Sequence, residues 1–364
     1  MQEMNLNIHG LVKIWAPDLS TEVYNGLKEM LGHFFVEEKL DLKTLDLLIL
    51  PLASAKLKET LEDILPSPYG MSFVDHHGDN GIVFNYRGQP DLILMVGDVI
   101  TIYYSPRKRN LRRIYGLMLF SINLVLHKKM GLLYHGAAVA KDDTSLLLTG
   151  LRGSKKTQLV MTMLEKGWDY ISDDKLLLYN GRMYMFQDII PIADHHLEAL
   201  PWLFEHLPEK AKRKKDPIKR KVRKQIAAFS RRFFSKHFLP IMEKIYDPHL
   251  VLKLQEIFPS CNILESAIPT TVILLSLGDK VMCSHIASHD LLGEIDAIQS
   301  LTFYSMGPLE QLVFFCNKNF SPSVGEIVKK NLCNSQFYRL TIPGLSEIND
   351  AYQVLIENIT KDIA

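Results

Sequence analysis

Cysteines are few in this chain, and none of them lies in a metal-binding or redox spacing. The 364 residues include four, at Cys261, Cys283, Cys316 and Cys333. The absence of a Cys-x-x-Cys pair argues against a zinc site, and the scatter argues against a disulfide framework. We therefore expect buried free thiols, as in a cytosolic protein.

Long hydrophobic runs and an excess of one charge are also missing. The longest apolar segment of helical character, Ile114–Leu126, is shorter than the roughly 20 residues that span a membrane. The first ten residues lack the basic and apolar regions of a secretory signal. The 42 basic and 41 acidic residues leave a net charge of +1, which does not indicate a generally basic nucleic-acid-binding protein. We expect a cytoplasmic protein without a membrane span.

The length and composition predict two globular domains. Hydrophobic residues make up 47% of the chain and charged residues 23%, which is typical of folded domains of roughly 100–200 residues. Alternating strand and helix patterns predict an α/β protein. We place a small mixed α/β domain at residues 1–110 and a larger domain at residues 130–364, with a basic helical insert near 205–235.

Local patterns in the N-terminal domain predict its first elements. Loose alternation of apolar residues predicts a strand at Leu6–Ile14. Helical spacing predicts a helix at Thr21–Phe35, with Ser20 or Thr21 as its N-cap.

A phosphate-binding pattern lies between a predicted buried strand, Ser145–Leu148, and a predicted helix, Thr157–Glu165. The pattern G-x-x-x-x-G-K-[ST] corresponds here to the run Gly150-Leu151-Arg152-Gly153-Ser154-Lys155-Lys156-Thr157. In such a loop, backbone N–H groups and the helix N-terminus face phosphate oxygens. Lys156 would reach the β- and γ-phosphates, and Thr157 would offer its hydroxyl to magnesium.

The loop departs from the pattern at one position, where Lys155 replaces the second glycine. A left-handed backbone at a lysine costs about 1–2 kcal/mol. The substitution is either a loss that weakens the loop or an adaptation that adds a second cation for the phosphates. A basic loop without a ligand is the plain alternative to both.

Two neighbouring features bear on this choice. The acidic pair Asp173-Asp174 follows a short strand, and paired carboxylates can divide metal binding and proton transfer between them. His135 lies on a strand one hairpin before the loop. Each feature alone is more often structural: an Asp-Asp pair forms a turn or helix cap, and a lone histidine packs against its neighbours.

Taken in order, residues 132–181 resemble the HPr kinase/phosphorylase superfamily, which includes kinases similar to those that modify lasso peptides. The resemblance lies in the sequence LLYHGAAVAKDDTSLLLTGLRGSKKTQLVMTMLEKGWDYISDDKLLLYNG. It implies a nucleotide-binding core like that of phosphoenolpyruvate carboxykinase, followed in the chain by the basic insert. The resemblance covers about residues 130–185, and residues 1–110 and 190–364 by themselves indicate no family.

The resemblance also implies an activity and a set of site residues. The activity is ATP- and magnesium-dependent phosphorylation of a serine-type hydroxyl on a peptide or protein, by a chain that forms homo-oligomers as its relatives often do. The implied catalytic residues are Asp173, His135 and Lys156, and the implied metal ligands are Thr157 and Asp174. The implied nucleotide-binding residues are Gly150, Arg152, Gly153, Ser154, Lys155, Lys156 and Thr157.

Departures from the family leave alternatives open. Gly136 stands where HPr kinases have an acidic residue, and Lys155 replaces their glycine, so HPr itself is not the expected substrate. One alternative is a nucleotide-binding scaffold or regulatory protein with impaired catalysis. A weaker one is a nucleic-acid-associated protein that uses the basic tract Lys210–Lys224, although that tract lacks interleaved aromatic residues.

Overall fold

A computed structural model describes most of the chain. The described residues are 2–52, 71–76, 79–86, 89–106, 110–215, 250–304, 323–343 and 347–363. They belong to two compact units, each of which draws on separate stretches of sequence. The first unit contains Met1–Tyr134, Leu177–Asn180 and Asp296–Asn331, and the second contains His135–Leu176, Gly181–Ile295 and Leu332–Ala364. The division into residues 1–110 and 130–364 stays a prediction.

The first unit contains a seven-stranded sheet in the order β1-β2-β3-β7-β6-β5-β4. Its strands are β1 (Gln2–Ile8), β2 (Val12–Leu19), β3 (Leu47–Pro51), β4 (Met71–His76), β5 (Asp79–Tyr86), β6 (Gln89–Val96) and β7 (Ile100–Tyr104). Strands β2, β3 and β7 are parallel to one another, and the other neighbouring pairs are antiparallel.

Two helices of the first unit follow strands of this sheet. They are α1 (Thr21–Leu31) and α2 (Leu111–Lys128). Helix α1 buries Val23, Leu27 and Leu31, which recur every four residues on one face. Its predicted N-cap is confirmed at Ser20, whose side chain accepts a hydrogen bond from the backbone N–H of Val23.

The predicted strand at Leu6–Ile14 is wrong. The chain reverses within it, and β1 pairs antiparallel with β2. The turn contains His9 and Gly10, with φ angles of 51° and 71°. Glycine adopts such angles without steric cost, so Gly10 was the sequence signal for the turn.

The second unit is built around a six-stranded sheet in the order β11-β9-β10-β17-β19-β18. Its strands are β9 (Ala137–Lys141), β10 (Thr144–Thr149), β11 (Asp169–Ser172), β17 (Thr271–Leu277), β18 (Met282–His285) and β19 (Gln336–Ile342). Strands β10, β17 and β19 are parallel, β9 is antiparallel to both β10 and β11, and β18 is antiparallel to β19.

The core of the second unit joins this sheet to its helices. Helices α3 (Lys156–Glu165) and α10 (Ile348–Ile363) contact each other. Buried Leu159 and Met163 from α3 share one apolar cluster with Leu355 from α10 and Leu148 from β10. This packing holds the beginning of α3 at one edge of the sheet.

The remaining elements are shorter or pass from one unit to the other. The remaining strands are β8 (Leu132–His135), β12 (Lys175–Tyr179), β13 (Arg182–Met185), β14 (Ile189–Ile192), β15 (Leu250–Lys253) and β16 (Ser266–Ala267). The remaining helices are α4 (Asp194–Ala199), α5 (Leu203–His206), α6 (Glu209–Lys214), α7 (Leu254–Ile257), α8 (Ser288–Tyr304) and α9 (Val324–Leu332). Strand β14 pairs with β15, and β13 pairs with β16.

The chain is thus a mixed α/β protein, as the sequence predicts. In the described residues, no helix is both long and apolar enough to cross a membrane. Of the basic tract Lys210–Lys224, the described part ends at Lys215, so the rest of the predicted helical insert lies outside the described residues.

The expectation of buried thiols is wrong for the three cysteines that the structure describes. Cys261 and Cys283 are partly exposed, and Cys333 is exposed. Cys316 lies outside the described residues. The side chains were expected to be buried because free cysteine usually behaves as a small apolar residue.

A buried ion pair holds the last turn of α6 in the second unit. Lys215 Nζ donates to Asp194 Oδ1 at 2.7 Å, and the two side chains are 0% and 7% exposed. Removing one partner of a buried ion pair typically costs 3–5 kcal/mol.

We therefore expect Lys215→Met to lower the free energy of unfolding of the second unit by about 3 kcal/mol. The control is Lys212→Met, because Lys212 pairs with Glu209 at 3.2 Å with side chains 24% and 78% exposed. That change should cost less than about 1 kcal/mol. Urea unfolding followed by circular dichroism measures the free energy of unfolding of both variants. Equal losses would show that burial of the pair between Lys215 and Asp194 does not contribute to stability.

Candidate functional site

The strand directions of the second unit bring three segments to one edge of its sheet. Strands β10 and β11 run in the same direction, because each is antiparallel to the intervening β9. Leu148 near the end of β10 is paired with Ala137 at the start of β9, and Ser172 at the end of β11 is paired with Ala138. The loop after β10, the acidic pair after β11 and the turn before β9 therefore lie together.

The loop that matches the phosphate-binding pattern has positive φ angles, which favour glycine, at two of its glycines. Gly150 and Gly153 have φ angles of 153° and 85°. A Cβ atom on Gly150 would lie 2.6 Å from Ser154 Oγ and 2.7 Å from the carbonyl oxygen of Leu275. Gly150 is therefore required by both its dihedral angle and its surroundings, whereas Gly153 is required by its dihedral angle alone.

Lys155, which replaces the second glycine of the pattern, adopts a left-handed conformation. Its φ is 70° and its ψ is 21°, at the N-cap of α3. A lysine in this conformation is strained by about 1 kcal/mol relative to glycine. Its Nζ donates to the carbonyl oxygen of Pro343 at 3.3 Å.

Lys156 bends back over the loop. The residue is buried, and its Nζ donates to the carbonyl oxygens of Gly150 at 2.7 Å and Leu151 at 3.3 Å. Burial lowers the pKa of Lys156, while the charges of Asp173 and Asp174 raise it in part. The ammonium group is thus inside the loop and within the field of the acidic pair.

A hydrogen bond joins α3 to the acidic pair. Thr157 Oγ1 donates to Asp173 Oδ2 at 2.9 Å. Asp173 is 2% exposed, and its other oxygen, Oδ1, has no hydrogen-bond partner among the described residues. A buried acceptor without a partner costs about 1–3 kcal/mol. Such a buried group is the kind that a ligand, an ion or a water molecule satisfies.

The pKa of Asp173 is raised to about 6. Burial raises it most and the negative charge of Asp174 adds to this, while the hydrogen bond from Thr157 and the charge of Lys156 act in the opposite direction. Asp173 therefore changes charge at a mildly acidic pH.

Asp174 has a different environment from its neighbour. Its side chain is 45% exposed, Oδ1 lies 3.4 Å from His135 Nδ1, and Oδ2 forms an ion pair with Lys175. Its carbonyl oxygen lies 3.0 Å from the same His135 nitrogen and accepts a hydrogen bond from Gly136 N–H at 3.2 Å. Desolvation acts to raise the pKa of Asp174, but His135 and Lys175 lower it by more, so the group stays charged.

The predicted site residues therefore form two groups. Thr157 contacts Asp173, whereas the resemblance implies Thr157 and Asp174 as metal ligands. Asp174 contacts His135 instead. Arg152 is exposed on the loop, and Ser154 is buried with an Oγ atom that lacks a hydrogen-bond partner in the described chain. Lys175 was missed, although it directly follows the acidic pair.

The residues present fit a magnesium ion that also binds phosphate. Magnesium is typically held by one or two protein oxygens together with substrate phosphates and water. Thr157 Oγ1 and the unpartnered Asp173 Oδ1 supply oxygens of this kind. Within the described residues, no group of three His, Cys, Asp or Glu side chains could hold a metal ion by itself.

Comparison with known protein families gives no match to this chain, and comparison with curated protein sequences gives none either.

The pKa of Asp173 predicts how stability depends on pH. Since its folded-state pKa of about 6 lies above the ordinary value of 3.8, the folded state binds more protons between these two pH values. The stability contributed by protonated Asp173 is present at low pH and is lost as the pH rises through 6, by about 3 kcal/mol in total. Asp173→Asn removes this dependence.

The measurement is urea unfolding of wild type and Asp173→Asn at pH 4.5 and pH 7. The variant should gain stability relative to wild type as the pH rises. Asp174 does not interfere, because its depressed pKa affects stability only below about pH 4. The prediction would be contradicted if the free energies of unfolding of wild type and Asp173→Asn differed by the same amount at both pH values.

Proposed function

We propose that the chain is an ATP- and magnesium-dependent phosphotransferase that transfers the γ-phosphoryl group to a serine-type hydroxyl of a peptide or protein. The observation that carries the proposal is the hydrogen bond from Thr157 to Asp173 at 2.9 Å. It links the first turn after a phosphate-binding loop to an acidic pair. The arrangement supports the resemblance to the HPr kinase/phosphorylase superfamily and a core like that of phosphoenolpyruvate carboxykinase.

Binding of the triphosphate would use the loop and the beginning of α3. Backbone N–H groups at a helix N-terminus carry partial positive charge and suit phosphate oxygens. Lys156 is already bent over the loop by its bonds to Gly150 and Leu151. An entering phosphate exchanges these carbonyl contacts for a stronger, charge-assisted contact with the ammonium group.

Thr157 and Asp173 are the residues that would hold magnesium. When bound, the ion neutralises phosphate charge and orients the γ-phosphoryl group. Asp173 Oδ1 faces no partner among the described residues, and its burial limits access of bulk water. At neutral pH the carboxylate is mostly charged, as a metal ligand must be.

The exposed side of the site, formed by Asp174 and His135, suits the acceptor. Asp174 is charged and partly exposed, and His135 and Lys175 fix its carboxylate. A fixed carboxylate can accept the hydrogen bond of a serine hydroxyl and aim its oxygen at the γ-phosphorus. The serine Oγ–phosphorus bond forms as the bond from the γ-phosphorus to the departing ADP breaks, and Asp174 takes the hydroxyl proton late in the step. Positioning therefore dominates in this loose transition state. This proposed division reverses the roles that the resemblance implies for Asp173 and Asp174.

One observation favours a second candidate, a nucleotide-binding scaffold with impaired catalysis. Lys155 keeps a strained conformation where active loops use glycine. A scaffold binds ATP without moving phosphate.

We also propose a cytoplasmic location and a homo-oligomeric state. The first rests on the sequence, and the second rests on the resemblance.

The test is incubation with γ-labelled ATP and magnesium, followed by measurement of label in free phosphate, in the protein itself and in added serine-containing peptides. Wild type should move label, and Lys156→Met and Asp173→Asn should each reduce the rate by roughly 100-fold or more, because each removes charge stabilisation at the phosphates.

The matched control is Lys166→Met at the other end of α3, where Lys166 pairs with Glu165 at 2.9 Å. This variant should keep the wild-type rate. Binding of ATP by wild type without any transfer of label would favour the scaffold. Equal rates in wild type and Asp173→Asn would exclude Asp173 from the reaction.

A further inference from the structure

Two neighbouring lysines of the loop extend in different directions. Lys156 Nζ lies at the carbonyl oxygens of Gly150 and Leu151, inside the loop. Lys155 Nζ lies at the carbonyl oxygen of Pro343. The acids that act on them also differ: Asp173 and Asp174 act on Lys156, whereas Glu347 acts on Lys155. The two ammonium groups therefore lie at different parts of the loop.

The sheet order tells where Lys155 points. Pro343 directly follows β19, which lies two strands from β10 on one side. Asp173 directly follows β11, which lies two strands from β10 on the other side. With neighbouring strands about 4.8 Å apart, these two strand ends are separated by several strand widths. The Lys155 ammonium is thus on the side of the loop away from the acidic pair.

A bound triphosphate would have a defined direction across this edge. Its γ-phosphate would lie toward Asp173 and Thr157, because the transferred group must meet the metal and the acceptor. The β- and γ-phosphates would share Lys156. The α-phosphate would then lie on the opposite side of the loop, toward β17 and β19.

The backbone of Lys155 gives a second reason to assign it a role. Strained residues persist where the surrounding structure holds them, and they cluster at functional sites. Glycine would remove the strain at a φ of 70°. In the structure, the ammonium group donates a long hydrogen bond of 3.3 Å to the carbonyl oxygen of Pro343 at a partly buried position. A phosphate oxygen would be a stronger partner for it than a neutral carbonyl oxygen.

We propose that Lys155 is a specificity-determining residue that binds the α-phosphate and so favours nucleoside triphosphates over pyrophosphate. The inference rests on the proposed function, because it assumes that the loop binds a nucleotide. On binding, Lys155 Nζ exchanges the Pro343 carbonyl oxygen for an α-phosphate oxygen. The lysine in the glycine position is then an adaptation of this loop.

The experiment measures binding of ATP, inorganic tripolyphosphate and pyrophosphate by calorimetry in the presence of magnesium. The variants are Lys155→Met, which keeps the strain and removes the charge, Lys155→Gly, which removes both, and Lys155→Arg, which keeps the charge. We expect Lys155→Met and Lys155→Gly to weaken the binding of ATP and of tripolyphosphate about tenfold, and to change the binding of pyrophosphate by less than about twofold. Lys155→Arg should stay within about threefold of wild type.

Each other outcome decides against the inference. Equal weakening of all three ligands would place Lys155 at the β- and γ-phosphates. Weaker binding of ATP alone would place Lys155 at the nucleoside. Unchanged binding of all three ligands would show that the charge of Lys155 does not contribute to binding. Thermal unfolding of each variant confirms that it is folded. If wild type binds none of the three ligands, the proposed function itself fails, which distinguishes that result from a failure of this inference.

Discussion

The hydrogen bond between Thr157 and Asp173 is the contact on which the candidate site depends. It joins the first turn of α3 to the end of β11, and it is possible only because β10 and β11 run in the same direction on either side of β9. A shift of one residue in the pairing of β9 would turn alternate side chains to the other face of the sheet. The contact between Thr157 and Asp173 therefore depends on the strand register of β9 as well as on the two residues themselves.

The candidate site contains two pairs of identical neighbouring residues, two aspartates and two lysines. The two members of each pair have different environments. Asp173 is buried and its pKa is raised, whereas Asp174 is partly exposed and its pKa is lowered by His135 and Lys175. In the same way, Lys156 lies inside the loop and Lys155 extends toward the end of β19. Environments that push two similar groups apart are a common basis for a division of roles at a site.

Much of the local architecture could be predicted from the sequence, because it depends on nearby residues. The run from Gly150 to Thr157 predicts a loop between a buried strand and a helix, and both elements are present. The reversal at Gly10 was missed, although glycine marked it. The contact of Lys155 with Pro343 could not be predicted, because the two residues are far apart in the sequence and meet only through sheet order. The choice between Asp173 and Asp174 likewise depends on burial, which the sequence does not reveal.

The most direct test of this account is a double-mutant cycle on magnesium-dependent ATP binding, measured by calorimetry. The proteins are wild type, Thr157→Val, Asp173→Asn and the double variant. If the two side chains act as one metal-binding unit, their effects are non-additive, with a coupling energy of about 1–2 kcal/mol. Additive effects, or ATP binding that does not depend on magnesium in wild type, would contradict the account.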